Sequence, residues 1–426
     1  MITIIGAGFA GVEAANAAAA YGVSVRLFEM KPKKFSPAHK VSGFAELVCS
    51  NSFKASRINS AAGLLKAEMK RLGSLTVPIA EENAVPAGGA LAVDRDCFSG
   101  AVTKKIRENP LIEVINNELA DIPHGTVIIA TGPLTSDGLA DAITAKTGGM
   151  LSFFDAAAPI VTAESINPEK TFFGARYGKG TDDYINCPFE RAEYELFWNE
   201  LINAESAPLH AADKLRVYEG CMPIEVLAKR GIDSPRFGPM KPVGFTDPRT
   251  GKRPYALVQL RAENTAGSLY NIVGFQTNLK FGEQKRVFSM IPGLENAEFA
   301  RYGVMHRNSF LNSPAVLNAD FSMKNDPNVF FAGQITGVEG YMESAASGII
   351  AGINAARLER GEPLFVPPEE TMIGALCRYI AAENANFQPM GASMGLLPEL
   401  PERIRDKSQK YQALADRAMA AYEKIA

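Results

Sequence analysis

The sequence predicts an α/β fold in which both ends of the chain contribute to one parallel sheet, with a mixed α+β domain inserted between them. Residues 1–30 contain a short apolar strand, a glycine-rich turn, an alanine-rich helix and a second strand. Residues 328–357 repeat this order with a strand, a glycine-rich turn and a long helix of small residues. Between about 150 and 300 the chain is richer in prolines, aromatics and short strands. We therefore expect a discontinuous domain made of 1–150 and 301–360, an inserted domain at 151–300, and a helical C-terminal appendix at 361–426.

The first turn of the chain carries the spacing G-x-G-x-x-G at Gly6, Gly8 and Gly11. In a Rossmann-type unit, the first glycine permits a tight turn, the second lets the backbone approach a pyrophosphate, and the third lets the helix pack closely on the strand. Glu29 ends the second strand, where an acidic side chain accepts hydrogen bonds from ribose hydroxyls. These features together predict a dinucleotide with a free 2′-hydroxyl, such as FAD or NAD.

The chain contains one such fingerprint, because no second G-x-G-x-x-G strand–helix unit is present. The turn of the returning unit contains Gly333, Gly337 and Gly340, and the helix after it can direct its N-terminus at the same nucleotide from the opposite side. The sequence therefore predicts one resident dinucleotide held by both ends of the chain. A nicotinamide nucleotide would then visit only to reduce it.

Hydrophobic periodicity predicts the remaining elements. We expect helices near 12–21, 58–72, 94–106 and 191–204, and strands near 127–130, 160–162, 171–173, 256–260, 270–273 and 329–332.

Composition places the chain among ordinary globular proteins of two or three domains, with 426 residues, 46% hydrophobic residues and a formal net charge of −3. This charge does not indicate a nucleic-acid binder, although a local basic face is compatible with it. No apolar run approaches the length of a membrane span, and Met1 leads directly into a strand, so we expect no membrane segment and no signal peptide. The five cysteines are scattered without a C-x-x-C pair, which indicates reduced thiols, no metal site and a cytoplasmic location.

Seven stretches resemble, in the same order, the motifs of the folate- and FAD-dependent tRNA uracil-5-methyltransferases, and the resemblance continues to about residue 400. These stretches are 44–52, 85–99, 218–226, 236–251, 274–288, 301–308 and 330–348. The resemblance implies a glutathione-reductase-type Rossmann FAD-binding domain with an insertion. It also implies methylation of C5 of a uridine in the tRNA T-loop, with carbon from 5,10-methylenetetrahydrofolate and reduction by NAD(P)H through FAD. The partners are then tRNA, folate and NAD(P)H, and no obligate protein partner is evident.

Such a reaction needs a cysteine, because a thiolate that adds to C6 of uracil turns C5 into a nucleophile. Cys49 and Cys221 resemble the two family cysteines tied to activity. We favour Cys221 as the nucleophile and Cys49 as its assistant, although the sequence leaves the two roles open. The other three, Cys97, Cys187 and Cys377, fit the commoner pattern of small buried side chains.

The resemblance also implies roles for residues in the other motifs. His306 corresponds to a histidine that stacks on the folate pterin, with His39 as the competing candidate. Tyr341 and Glu343 follow the second glycine-rich turn and are expected to line the flavin and pterin pocket, and Arg236 and Lys241 are expected to contact folate or RNA. A basic run is expected to contact RNA phosphates, namely Lys280, Lys285, Arg286, Arg301 and Arg307.

The sequence departs from the family pattern at Asn278 and Phe281, where many members have His or Arg and Trp. Three alternative functions stay open at this stage. They are the same chemistry on ribosomal RNA, an FAD/NAD(P)H oxidoreductase that binds no RNA, and an RNA-binding flavoprotein that assists tRNA folding. A plain oxidoreductase needs neither the paired cysteines nor the basic run.

Overall fold

The computed structural model describes residues 1–178, 181–208 and 222–423, and for 153–155, 306 and 307 it describes the backbone alone. The first part of the chain alternates strands and helices. These are β1 (Ile2–Ile5), α1 (Phe9–Ala20), β2 (Val25–Phe28), β3 (Ser52–Ala55), α2 (Ala61–Arg71), α3 (Thr76–Glu82), β4 (Ala84–Val85), β5 (Ala90–Val93), α4 (Arg95–Glu108), β6 (Ile112–Ile115), β7 (Val127–Ile129) and α5 (Asp137–Thr147).

The middle of the chain is richer in strands. It contains β8 (Met150–Ala156), β9 (Ile160–Thr162), β10 (Phe172–Phe173), β11 (Ile185–Phe189), α6 (Arg191–Asn203), α7 (Ile224–Ala228), α8 (Ser234–Phe237), β12 (Ala256–Ala262), β13 (Leu269–Ile272), α9 (Phe281–Phe288), β14 (Phe299–Arg301) and β15 (Met305–Leu311).

The last part of the chain returns to the first and then becomes helical. It contains α10 (Ser313–Val316), β16 (Ser322–Met323), β17 (Asp326–Phe331), α11 (Tyr341–Glu359), α12 (Met372–Ala381) and α13 (Lys407–Glu423).

The two ends of the chain share one sheet, with strand order β16-β17-β7-β1-β2-β6. All neighbours are parallel except β16 and β17. The returning strand β17 lies beside β7, with Val329 opposite Val127. The α/β class and the return of the chain to the first sheet are therefore confirmed.

Small residues allow helices α1 and α11 to pack at close range over this sheet. A Cβ on Gly348 would lie 2.1 Å from the Ala10 carbonyl oxygen, and one on Gly352 would lie 2.4 Å from that of Ala14. Neither distance leaves room for a side chain, so the small-residue composition of both helices reflects this contact.

The middle of the chain builds a second, antiparallel sheet with the order β10-β11-β12-β13-β9-β14. Helices α6 and α9 pack on it through buried aromatic residues that include Phe197 and Phe288. Strands β8 and β15 pair antiparallel, from Met150 opposite Leu311 to Ala156 opposite Met305. The mixed architecture of the insertion agrees with the predicted fold class, whereas the domain boundaries stay predictions.

Capping residues explain where two predicted helices begin. The helix expected from 58 starts at Ala61, because the Ser60 hydroxyl accepts a hydrogen bond from the Gly63 N–H at 3.2 Å. The helix expected from 94 starts one residue later, because the Asp94 carboxylate accepts from the backbone of Asp96 and Cys97.

The C-terminal helices attach to the first domain through a buried carboxylate. Glu68 on α2 accepts hydrogen bonds from the N–H groups of Met372 and Ile373, at 2.7 and 2.9 Å, where α12 begins. The Tyr422 hydroxyl on α13 donates to the same carboxylate at 3.4 Å. Burial raises the pKa of Glu68 to about 7, against the opposing effect of these hydrogen bonds.

We predict a pH-dependent contribution of Glu68 to stability. Because its pKa is higher in the folded than in the unfolded chain, its contribution is complete below its ordinary pKa of 4.5 and declines as the pH rises through about 7. The free energy of unfolding of wild type relative to Glu68→Gln should fall by roughly 3 kcal/mol over this range. Chemical denaturation at several pH values measures it.

The matched control is Glu81→Gln, which removes an exposed carboxylate paired with Lys70 at 2.9 Å. Its stability difference from wild type should stay nearly constant with pH. A Glu68→Gln difference that is equally flat would contradict the prediction.

Candidate functional site

A cleft at the carboxyl end of the parallel sheet brings the predicted nucleotide-binding residues together. Its lining includes Gly6, Gly8, Glu29, Gly333 and Tyr341. Ligands of open α/β sheets bind at this edge. The cleft therefore combines residues from both ends of the chain, as the sequence predicts.

The three glycines of the first turn differ in what surrounds them. Gly6 adopts a φ of 97°, which favours glycine, and a Cβ on Gly11 would lie 1.8 Å from the Gly6 carbonyl oxygen. A Cβ on Gly8 would meet no atom within 4 Å. Gly8 is also the N-cap of α1 and has no side chain to cap it, so the first turn of the helix faces open space. This arrangement fits a phosphate group at the helix N-terminus.

Glu29 is held rigidly inside the cleft. Its carboxylate accepts hydrogen bonds from the backbone N–H groups of Ala7, at 2.9 Å, and Lys31, at 3.0 Å. Each carboxylate oxygen has more than one lone pair, so both can also accept from ribose hydroxyls. The side chain thus fits the predicted ribose contact.

The three glycines of the second glycine-rich turn have different surroundings. Gly333 has a φ of 86°, lines the cleft and donates its N–H to the Ser347 hydroxyl at 2.7 Å. Gly337 instead packs against the Phe387 ring, and Gly340 lies against the Glu343 carboxylate. A glycine is needed at all three positions, but Gly333 is the one that lines the cleft.

Cys49 lies at the side of this cleft. Its backbone N–H donates to the Tyr341 hydroxyl at 2.8 Å, and Tyr341 lines the cleft. The thiol lies 3.7 Å from the carbonyl oxygen of Ala156, at the end of β8. Cys49 is partly exposed, so the thiol is placed beside the nucleotide site with access from outside.

Arg95 holds the loop that carries Cys49. Its guanidinium donates to the carbonyl oxygens of Leu47 and Cys49, the latter at 3.2 Å, and forms an ion pair with buried Glu263 of the insertion. Burial lowers the pKa of Arg95. The interaction with the Glu263 carboxylate raises it by more, so the net shift is upward.

Two arginines of the second sheet, Arg261 in β12 and Arg301 at the end of β14, hold the same loop. Arg301 donates to the Val48 carbonyl oxygen. Arg261 donates to Asn51 Oδ1 at 3.0 Å and to the Ser50 hydroxyl at 2.8 Å. Burial is the main cause that lowers the pKa of Arg301, and the positive charge of Arg95 lowers it further. The charged form of this guanidinium is therefore less favourable than that of an exposed arginine. Arg301, predicted as an RNA contact, is therefore placed beside Cys49.

Cys221 lies outside the described residues, and so do the side chains of His306 and Arg307. The ends of the segment that contains Cys221 are nevertheless anchored to one stretch of chain. The Ala207 N–H donates to the Asn278 carbonyl oxygen at 2.7 Å, and the Ile224 N–H donates to that of Gln276 at 2.8 Å. Asn278 Nδ2 also donates to the Ala207 carbonyl oxygen at 3.1 Å, which gives this departure from the family pattern a positioning role.

The residues predicted to bind folate make internal contacts. Glu343 is 1% exposed and accepts hydrogen bonds from Lys54 Nζ and the Ala392 N–H, both at 2.9 Å. Arg236 lies over the Tyr255 ring, 3.7 Å from its centroid, and pairs with Asp233. Lys241 is exposed. His39 bonds the Ser36 hydroxyl through Nδ1 at 2.5 Å and lines the same cleft as Glu29.

Three of the predicted RNA contacts lie on or next to α9. Lys280 pairs with Glu205, and Arg286 pairs with Glu200 and Glu283. Lys285 is exposed, and no described acidic residue pairs with it. These cations therefore stand among carboxylates rather than in a purely basic patch.

The remaining cysteines correct one expectation. Cys187 and Cys377 are buried, and burial raises the pKa of each thiol, to about 12 for Cys377. Cys97 is exposed in the first turn of α4, contrary to the expectation of a buried side chain. The charge of Asp94, the helix cap, raises the pKa of Cys97, which makes this accessible thiol less reactive.

Neither a metal centre nor a membrane segment is found in the part of the chain that the structure describes. Within it, His, Cys, Asp and Glu side chains do not gather in groups of three that could hold a metal ion. No described helix combines the length and the apolar character needed to cross a membrane.

Sequence reasoning missed Arg95, Arg261 and Glu263. Arg95 lies inside the motif 85–99, but a charged residue at the start of a helix normally faces solvent, and nothing local marks it as buried. Arg261 and Glu263 lie in or next to β12, where alternation predicts a core strand. Arg261 contacts Asn51 in the Cys49 loop and Glu263 pairs with Arg95; each contact spans more than 150 residues and has no local signal.

Comparison with known proteins identifies relatives over the whole chain. The model of the family described as glucose inhibited division protein A matches residues 1–363. A methylenetetrahydrofolate–tRNA-(uracil-5-)-methyltransferase, TrmFO, of Enterococcus faecalis is 58% identical over 98% of this chain and 97% of its own length. The enzyme of the same name from Acetivibrio thermocellus is also 58% identical, over 98% and 97%.

Among solved structures, Aquifex aeolicus GidA in its form II crystal shares the fold, with a TM-score of 0.72 and 17% identity over 99% of this chain and 73% of that one. The relatives confirm the resemblance seen in the seven motifs. The chain therefore belongs to the glucose inhibited division protein A family and, within it, to the methylenetetrahydrofolate–tRNA-(uracil-5-)-methyltransferases.

Proposed function

We propose that this chain methylates C5 of a uridine in the T-loop of tRNA, with FAD as resident cofactor, 5,10-methylenetetrahydrofolate as carbon donor and NAD(P)H as reductant. The observation that carries the proposal is the position of Cys49, whose N–H donates to Tyr341 in the wall of the nucleotide cleft. A thiol beside a flavin site suits a reaction that joins cysteine and redox chemistry. The named activity of relatives at 58% identity supports the same assignment.

The cleft fits FAD on three counts. The space at Gly8 leaves room for a pyrophosphate at the N-terminus of α1, Glu29 can accept from the ribose, and Gly333 and Tyr341 close the opposite side. When bound, the flavin supplies the hydride equivalent that converts a methylene carbon into a methyl group. The protein supplies position, exclusion of water and thiol chemistry.

The cysteines supply the nucleophilic part of the mechanism. A thiolate adds to C6 of the uracil, electron density moves to C5, and C5 then attacks the one-carbon unit. Loss of the C5 proton and cleavage of the bond between the methylene carbon and its nitrogen carrier would leave a methylene group at C5. Addition of a hydride equivalent to that carbon would then expel the thiolate and restore the C5–C6 double bond, which gives 5-methyluracil. We assign the addition to Cys221 and the assisting role to Cys49.

The arginines define how Cys49 is presented. Arg95, Arg261 and Arg301 together engage every residue from Leu47 to Asn51, so the loop cannot shift without breaking charged hydrogen bonds. Burial is the largest effect on the pKa of Arg95 and of Arg301, and an electrostatic attraction to Cys49 opposes it in both. We propose that Arg301 positions and activates Cys49.

A single assay tests the function. Purified protein is mixed with an unmodified tRNA transcript, 5,10-methylenetetrahydrofolate and NADH or NADPH, and the nucleosides are analysed by mass spectrometry. We expect 5-methyluridine in the T-loop fragment, and loss of product with Cys221→Ala and with Cys49→Ala. Full transfer by both variants would contradict the cysteine assignment.

Other outcomes of this assay select the alternatives. Methylation of ribosomal RNA but not of tRNA would identify rRNA as the substrate. Oxidation of NAD(P)H without any methylated nucleoside would favour an oxidoreductase that binds no RNA.

A second prediction concerns the nucleotide cleft. Gly8→Ala should weaken FAD binding by about tenfold or more, because its Cβ projects into the space where the pyrophosphate passes. The melting temperature of the FAD-free protein should change by less than about 2 °C, because that Cβ meets no protein atom. Fluorescence titration with FAD and thermal melting of the FAD-free protein measure the two effects.

Gly100→Ala is the control for this substitution. Gly100 lies within α4, where an added Cβ also meets no atom within 4 Å, but far from the cleft lining. It should retain full FAD affinity. Equal FAD affinity of Gly8→Ala and wild type would contradict the proposal that FAD binds in this cleft.

A third prediction concerns the Cys49 thiol. Arg301→Gln removes a neighbouring positive charge, so the thiol pKa should rise and the rate of Cys49 alkylation by iodoacetamide at pH 7 should fall by about threefold to tenfold. Peptide mass spectrometry resolves Cys49 from the other thiols. The pH–rate profile should shift to higher pH, which a merely structural role would not produce.

Arg301→Lys, which keeps the charge, should lie between wild type and Arg301→Gln. Arg286→Gln removes an exposed arginine that pairs with Glu200 and Glu283 and should leave the profile unchanged. An unshifted profile for Arg301→Gln would show that this arginine does not tune Cys49.

A further inference from the structure

Three aromatic rings, from the start of α9 and from β14 and the residue after it, form a ladder that ends at the protein surface. The rings of Phe299 and Tyr302 stack with centroids 5.1 Å apart and an interplanar angle of 8°. Tyr302 in turn stacks with Phe281, at 4.9 Å and 17°. Phe281, the first residue of α9, is 55% exposed and forms the outer end of the ladder.

Phe281 differs from an ordinary exposed phenylalanine because a second ring holds it in place. Tyr302 covers one side of the Phe281 ring and fixes its plane, while more than half of the residue stays accessible. A flat ring with a fixed orientation is a stacking platform that loses little conformational entropy when a second ring binds.

The charges around the platform favour a ring contact over a purely electrostatic one. Lys280 and Arg286 already pair with carboxylates, which leaves Lys285 as the cation on α9 that no described acidic residue pairs with. Phosphate binding by this face would have to compete with those ion pairs. The Phe281 ring, in contrast, can stack on another ring without breaking an ion pair.

Residues next to the ladder in the chain contact the Cys49 loop and the described residues Ala207 and Ile224. Arg301, the residue before Tyr302, donates to the carbonyl oxygen of Val48, which precedes Cys49. Residues 276–278, just before Phe281, anchor the two ends of the segment that contains Cys221. A polynucleotide whose target base reaches the cysteines therefore passes close to the ladder.

We propose that Phe281 stacks on an unpaired nucleobase of the RNA substrate, adjacent to the nucleotide that is modified. The proposal rests on the proposed function and adds to it a contact that recognises a flat base rather than a phosphate. One ring suffices for base stacking. A protein partner would instead need a larger apolar patch with a well-packed centre, and here the ring is bordered by lysines and glutamates.

The test measures binding of an unmodified tRNA transcript to the FAD-loaded protein by fluorescence anisotropy across a range of salt concentrations. Phe281→Ala should weaken binding by roughly fivefold to a hundredfold, the range expected for loss of one stacked base. The slope of log affinity against log salt should stay as in wild type, because no phosphate contact is lost. Phe281→Trp should bind at least as tightly as wild type, whereas Phe281→Leu should resemble Phe281→Ala.

Two matched variants separate the ring from other effects. Phe237→Ala removes a phenylalanine that is 81% exposed elsewhere on the insertion, and it should bind tRNA as wild type does. Lys285→Ala should instead reduce the salt slope. Wild-type FAD content and melting temperature in Phe281→Ala show that the variant is folded.

Each result is decisive. Equal affinity of Phe281→Ala and wild type would overturn the stacking site while leaving the proposed function in place. Failure of wild type to bind tRNA at all would overturn the proposed function and this contact together. A change in sedimentation mass without a change in tRNA affinity would make Phe281 a contact between copies of the chain, and would also overturn the proposal.

Discussion

Charged hydrogen bonds to one short loop connect every part of the candidate site. Arg95 comes from the nucleotide-binding part of the chain, whereas Arg261 and Arg301 come from strands β12 and β14 of the second sheet. All three engage the loop that carries Cys49. Burying three guanidiniums beside one carboxylate, Glu263, is costly unless their donors are satisfied. The loop supplies those acceptors. They are backbone carbonyl oxygens for Arg95 and Arg301, and the Ser50 hydroxyl and Asn51 Oδ1 for Arg261.

The surroundings of the Cys49 thiol therefore depend on the position of the second sheet. If the insertion rotated relative to the sheet, Arg261 and Arg301 would lose their acceptors, and the thiol would lose a neighbouring charge. Glu263 Oε1 is buried and accepts no hydrogen bond from any described residue, although Oε2 pairs with Arg95. Such an atom costs free energy, which indicates that the carboxylate is kept for its charge beside Arg95 rather than for a saturated hydrogen-bond network.

The basic run at 280–307 shows how one sequence pattern divides into different physical roles. Lys280 and Arg286 form surface ion pairs, Arg301 points into the Cys49 loop, and Lys285 faces solvent. Surface ion pairs contribute little to stability, but they reduce the net positive charge available to an RNA. The aromatic residue between them then becomes the more specific feature of this face.

Most of the architecture could be predicted from local patterns. The spacing of Gly6, Gly8 and Gly11 and the acid at Glu29 determine a dinucleotide cleft, because backbone geometry and ribose recognition act over a few residues. Glycines whose Cβ would collide with neighbouring backbone mark the close packing of α1 on α11 in the same way. The prediction of a buried Cys97 is wrong, because burial depends on which face of the helix lies against the core. A single cysteine does not indicate which face that is.

The sequence by itself determined the fold class and the dinucleotide cleft, since each follows from a motif whose chemistry is local. Only the tertiary structure decided what surrounds the thiol and what the insertion offers to RNA. Arg261 and Arg301 reach the Cys49 loop across more than 200 residues of chain to join Arg95 there, and the Phe281 ring has a fixed plane only because Tyr302 stacks on it. Such contacts depend on how distant strands are brought together, and no periodicity or spacing along the chain encodes them.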